Sequence, residues 1–251
     1  MTDSISFCKK DGEPFTEEEQ LSLLAELNSI MPEFMIFEDD GYYDICIALK
    51  AKNYLLYNKI KNKKTIKGSA FKTSSKEPIL KQLMEDIIQA LLDEKIESLP
   101  SIYERYCDLA RNVTDIQPWC QKKTITKSVL KCVGHKDMLD TEKKEKKIRK
   151  NESDVLDALN GRKVQEGDKV YIYPKVVETI TEDIPKYKRN KKTDELELIG
   201  YKTKTTVITG LGHAEDFDGK YCIDKLLKRC YDTVNIFKNI IDMNKFVKHK
   251  E

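Results

Sequence analysis

Apolar residues recur along the chain with two periods, and each change of period marks an element. Thr16 with Glu19 three residues on is a capping box. The helix it opens sets Leu21, Leu24, Leu27 and Ile30 on one face until Pro32 bars its continuation. Ser4–Cys8, Phe34–Glu38, Tyr42–Leu49 and Asn53–Tyr57 read as strands, with turns at Asp11–Gly12 and Asp39–Asp40–Gly41. On the third of these, Cys46 and Ala48 share a face opposite Ile45, Ile47 and Leu49. Ser74 and Glu77 form a second capping box, with Pro78 tolerated in the first turn. The helix beyond it carries Ile79, Leu80, Leu83, Ile87, Leu91 and Leu92. Further helices are expected over Ser101–Arg111 and Ser153–Leu159, the second closed by Asn160–Gly161. Gly167–Asp168 turns into a strand over Lys169–Val176, and Lys186–Val207 reads as a solvent-facing hairpin. An amphipathic helix through Ile223, Leu226, Leu227, Val234, Phe237 and Ile241 follows. The order implies an α+β protein built on an antiparallel sheet.

The 251 residues are 35% charged and 8% aromatic, with enough Leu, Ile and Val for one extended domain or two small ones. Seven scattered cysteines include no Cys-x-x-Cys pair, so neither a zinc site nor a disulfide framework is indicated. No apolar run reaches the roughly 18–20 residues of a membrane span, and no signal-peptide pattern opens the chain; a soluble intracellular protein is expected. His135, His213 and His249 lack partners at ligand spacing and read as surface residues.

Charge changes the picture more. The formal net charge is only +2, yet residues 1–40 hold eleven Asp or Glu against two Lys. Lys59–Lys76 then holds seven lysines and no acid, and residues 122–150 hold eleven Lys or Arg against four acids. Uncompensated lysines repel one another unless a polyanion neutralises them. A carboxylate lobe beside a lysine track suits an enzyme that holds metal ions and a phosphate backbone. A solvated basic loop beside a solvated acidic helix has the same signature.

Short motifs, taken in order, carry a resemblance. Thr2–Asp3–Ser4 leads into a strand; Phe37–Glu38 is a hydrophobic-Glu step; Lys52–Asn53–Tyr54 is a Lys-x-Tyr element. Lys67–Gly68–Ser69 precedes the helix from Glu77. Ile125–Thr126–Lys127, Ala158–Leu159–Asn160–Gly161 and Gly167–Asp168–Lys169–Val170 follow. This succession resembles the C-terminal part of family B DNA polymerases, from within motif C (Asp-Thr-Asp-Ser) through the end of the palm and the thumb. It spans nearly the whole chain, with Lys186–Val207 matching least. Met1 stands where the motif's first Asp would be, and Asp39–Asp40–Gly41 lengthens the turn after Glu38.

The resemblance implies a palm portion over residues 1–76 and a mainly helical thumb with a β-hairpin extension over residues 77–251. It implies that Asp3 is catalytic and ligates Mg²⁺, and that Glu38 holds an auxiliary metal. It also implies that Lys52 and Tyr54 track primer–template DNA. Lysine meets phosphate as a mobile point charge, while Tyr offers a flat face and a hydroxyl. Lys67, Gly68, Lys72, Thr73, Ser74 and Ser75 add cations, hydroxyls and a helix start, a seat for phosphate. Motif A, the fingers, the dNTP-holding helix and any exonuclease would lie upstream. The implied partners are therefore primer–template DNA, a dNTP, an upstream polymerase fragment and a sliding clamp, with no membrane. Met1 is then expected to mark a gene split or a cut at an old intein or intron site. The alternatives are a non-catalytic duplex-binding module that kept the lysine track, and a polar interaction protein whose lysines are solvated.

Overall fold

A computed structural model describes residues 5–50, 52–68, 76–133, 155–156, 158–189 and 196–248. The fold is α+β, with two three-stranded antiparallel sheets and helices. The chain divides into two compact units, Met1–Lys72 and Thr73–Glu251.

The first unit opens with helix α1 (Glu17–Ser29), and both bonds of its capping box are made. Glu19 N–H donates to Thr16 Oγ1 at 3.2 Å, and Thr16 N–H donates to Glu19 Oε2 at 2.7 Å. The cap starts the helix, but its apolar face is only partly covered, with Leu24 and Leu27 half-buried. Leu21 and Ile30 are exposed, and no α1 residue is buried. Ser4 lies outside the described residues, and Ile5–Cys8 and Phe34–Glu38 form no ladder in place of the expected strands. Strand-favouring residues alone do not make a strand where no neighbouring edge completes the hydrogen bonds.

Strands β1 (Ile45–Lys50), β2 (Asn53–Asn58) and β3 (Lys63–Lys67) form an antiparallel meander in that order. Ile47 and Leu49 are buried while Cys46 and Ala48 are exposed, the expected division of faces. β3 was hidden in the sequence because three of its five residues are lysine. Its register, Leu55 opposite Ile66 and Leu56 opposite Thr65, is fixed by Ile66 joining the buried face.

In the second unit, helices α2 (Pro78–Leu92) and α3 (Leu99–Arg111) pack with each other and with a later helix, α5 (Ile223–Val234). Leu80, Leu83, Met84, Ile87, Ile88 and Leu91 follow the i, i+3, i+4 spacing and are buried. Each contributes about 1.5–3 kcal/mol by leaving water. The expected capping box is replaced. Ser74 lies outside the described residues, and Glu77 is itself the N-cap, without a side-chain cap bond. Its carboxylate is instead buried against Arg229 and Gln121.

The second sheet has the order β4 (Gln121–Thr124), β5 (Lys169–Arg189), β6 (Leu196–His213). Helix α4 (Lys127–Val133) follows β4. Ile125, Val129, Val155, Leu156, Ala158, Leu159, Val170 and Ile172 form a small core there. Asn160 and Gly161 both have positive φ, as expected for the left-handed stop. The hairpin is longer than the expected Lys186–Val207, because the β-branched run on either side continues the ladder to Ile172 opposite His213. Pro185 sits within it opposite Tyr201, on β5 beyond the Lys169–Ile172 stretch that pairs with β4. His213 is buried, not on the surface: its Nδ1 accepts the Glu215 N–H at 3.3 Å at the foot of this ribbon. His135 and His249 lie outside the described residues.

Candidate nucleic-acid interface

The β1–β2 connection brings the chain round in two residues, with Lys50 paired to Asn53 across it. Lys52 takes a φ of 61°, the left-handed conformation that Gly or Asn adopts more readily. At this tip its side chain is exposed. Two residues on, Tyr54 lies directly opposite Ala48 on one side and Lys67 on the other. Opposed residues of antiparallel strands point to the same face, so Ala48, Tyr54 and Lys67 form one row across the sheet. Cys46, Leu56 and Thr65 form the next row, and Lys63 stands opposite Asn58 beyond it. Ala48, Cys46, Lys63 and Lys67 are exposed, Tyr54, Leu56 and Thr65 half-buried.

Gly68 closes the tip. With φ at 101°, it lies so near β2 that a Cβ there would overlap the Lys52 carbonyl oxygen and the Asn53 side chain. No other residue type allows this approach. Lys52, Tyr54, Lys67 and Gly68 are therefore neighbours at one end of the sheet, although the sequence separates them.

The far end is held by polar clasps. Asp44 Oδ2 accepts the Lys59 N–H at 2.6 Å, Asn58 Nδ2 donates to the Tyr42 carbonyl at 2.9 Å, and Lys61 N–H donates to Asn58 Oδ1 at 2.8 Å. These bonds fix the turn from Lys59 to Asn62 and so hold β3 alongside β2. Sequence reading missed Lys63 and Thr65 as members of the face. The available signal was Thr65–Ile66, a β-favouring pair inside the lysine run.

The other expected residues are less informative. Asp3, Lys72, Thr73, Ser74 and Ser75 lie outside the described residues. Glu38 is exposed in an irregular segment. Among the described residues no group of three His, Cys, Asp or Glu can hold a metal ion, so Glu38 belongs to no such group there. The described residues by themselves therefore do not complete a Mg²⁺ site.

In the second unit an open cleft of about 280 Å³ is lined by Lys76, Glu77, Leu80, Gln121, Lys123, Arg229, Asp232 and Thr233. Burial lowers the pKa of Lys76, against the pull of Glu77 and Asp232. The Arg229 charge there is already engaged by Glu77. The cleft thus mixes both signs, whereas the β1–β3 face offers cations and an aromatic ring. Of these two places among the described residues, that face has the chemistry of a phosphate-backbone contact.

The chain matches no model of a known protein family and no curated protein. Among the described residues no helix is long and apolar enough to cross a membrane.

Proposed function

We propose that the chain is the C-terminal part of a family B DNA polymerase, the end of the palm and the thumb, acting inside the cell. It grips primer–template DNA and, joined with an upstream fragment carrying motif A and the fingers, takes part in dNTP-dependent DNA synthesis. The observation that carries this reading is the row in which Tyr54 faces Lys67 while Gly68 abuts Lys52. Two elements singled out independently, Lys-x-Tyr and Lys-Gly, meet at one place with the side chains a duplex backbone requires. In this reading the carboxylates of Asp3 and Glu38 would hold Mg²⁺, which would supply electrostatic stabilisation for phosphoryl transfer. A sliding clamp is the further partner of the assembled enzyme.

Two experiments test it. Binding of a primer–template duplex to the full chain, followed by fluorescence anisotropy, should weaken with salt. Each lost phosphate contact should reduce the slope of log K against log salt by about 0.9. Tyr54→Ala and Lys67→Glu should weaken binding at least tenfold; unchanged affinity in both removes the face from the reading. Primer extension with Mg²⁺ and dNTPs should occur when the chain is mixed with an upstream fragment from the same genome. It should be lost in Asp3→Ala. Duplex binding without extension in the mixture would favour a non-catalytic duplex-binding module.

A further inference from the structure

Three exposed apolar side chains of the first unit lie together in one short acidic segment. Phe34 is 94% exposed, Met35 62% and Ile36 79%, and Glu33, Glu38, Asp39 and Asp40 flank them. Glu33 and Phe34 lie in a turn closed by the Met35 N–H on the Pro32 carbonyl at 2.8 Å, and the residues to Glu38 follow without a ladder. α1 nevertheless holds it by one residue. Asn28 Nδ2 donates to the Phe37 carbonyl at 3.1 Å, and Phe37 N–H donates to Asn28 Oδ1 at 2.7 Å. Asn28 thus occupies the backbone groups of Phe37 as a neighbouring strand would. In an extended chain successive residues direct these groups to opposite sides. The N–H and carbonyl groups of Ile36 and Glu38 are then left to face away from α1.

The same unit carries an edge that fits. β3 pairs only with β2, so among the described residues its outer edge bears no strand, and Lys63 and Lys67 are exposed on it. Lysines on an edge strand keep off most incoming strands. An acidic strand is the exception, because it neutralises them. Laid antiparallel with the Pro32–Met35 turn opened, Phe34–Glu38 would match the five residues of β3, with Glu38 opposite Lys63 and Met35 opposite Ile66. Phe34 and Ile36 would then lie beside Lys67 and Thr65, covered on one side.

We propose that two copies of this chain exchange these segments, each donating Phe34–Glu38 as a fourth strand to the other's β3. Donor and acceptor belong to the same unit, so the exchange closes with two-fold symmetry rather than running on as a filament. The dimer occupies the outer edge of β3, beside Lys63 and Lys67, and competes with any polyanion bound there. It requires no particular identity for that polyanion.

The test is the mass of the full chain in solution, by sedimentation over a range of concentrations and salt. The dimer mass should appear at low salt and fall by half as salt screens the Glu–Lys contacts. Ile36→Pro and Ile36→Lys alter an exposed side chain outside any described ladder, and both should give the monomer. Glu38→Lys and Lys63→Glu should each give the monomer, and the two together should restore the dimer. A monomer at every concentration overturns the proposal and leaves the acidic segment to another protein chain. A dimer persisting in Ile36→Pro, or no restoration in the charge swap, overturns it as well. Monomeric Ile36→Pro should bind duplex DNA at least as tightly as the original chain. Loss of duplex binding from every form would sink the polymerase reading while leaving the exchange standing.

Discussion

Arg229 on α5 donates through Nη1 to Glu77 Oε1 at 2.5 Å, joining that helix to the residue that starts α2. Gln121 Nε2 donates to the same oxygen at 3.0 Å, so one carboxylate ties α2, α5 and β4. Glu77 is 3% exposed in its side chain and Arg229 25%. Removing one member of a buried pair costs about 3–5 kcal/mol, because the other is left without its counter-charge. The partial exposure of Arg229 reduces this, so Glu77→Ala should lose about 2–3 kcal/mol in urea unfolding. Glu77→Ala combined with Arg229→Leu should lose less than the sum of the single changes. Strict additivity would show that the pair is not coupled.

Tyr173 and Gly212 make a tight contact on the second sheet. A Cβ at Gly212 would lie 2.7 Å from Tyr173 Cζ, with the ring fully buried and edge-on to Phe217. Gly212→Ala must therefore push the ring, and should cost about 1–3 kcal/mol. The Tyr173 hydroxyl is buried with no hydrogen-bond partner among the described residues, and burial pushes its pKa up to about 12. Tyr173→Phe removes an unpaired polar group and should leave the urea midpoint unchanged or raise it. A loss larger than about 1 kcal/mol would mean that the hydroxyl makes a bond that matters.

How much of this was legible follows from what each feature depends on. The α1 cap, the buried face of α2 and the Asn160–Gly161 stop depend on residues close in sequence, and all are present. Burial of the α1 face and pairing of Phe34–Glu38 depend on partners that alternation cannot supply. Glu77 resembled a capping residue because its true partners, Arg229 and Gln121, are far along the chain. Of the candidate site, Lys52, Tyr54, Lys67 and Gly68 were individually readable. Their meeting depended on β3, which lysines disguised. The burial of His213 came from the long ribbon, whose register no local motif encodes.

The ion pairs below that ribbon give the second unit an acid limit. Arg162 donates to Asp216 through Nη1 at 2.5 Å and through Nη2 at 2.9 Å. The Arg162 hydrogen bonds hold the Asp216 carboxyl below its ordinary value of 3.8. A depressed carboxylate pKa stabilises the fold above the unfolded value, and that contribution fades as pH falls through the lower folded value. Asp216→Asn should therefore lower the thermal midpoint at pH 6. The gap from the unaltered chain should close on acidification below about 3.8. A gap that stayed constant down to pH 2.5 would assign the loss to geometry rather than charge.

Lys52 separates stability from binding in a single residue. Its φ of 61° is a conformation that costs a side chain with a Cβ roughly 1 kcal/mol and costs glycine almost nothing. If selection acted on stability alone, Gly or Asn would suit this turn better than Lys. Strain of this kind is tolerated where the side chain has other work. Lys52→Asn keeps the left-handed turn at lower cost without the flexibility that glycine adds to the unfolded chain. It should raise the urea unfolding free energy by a few tenths to about 1 kcal/mol. The same change should weaken primer–template binding and reduce the salt slope by about 0.9, one phosphate contact. Opposite signs in the two measurements would identify Lys52 as a contact maintained against the preference of its turn. Greater stability with unchanged affinity would reduce it to a strained turn residue and transfer the grip to Tyr54 and Lys67.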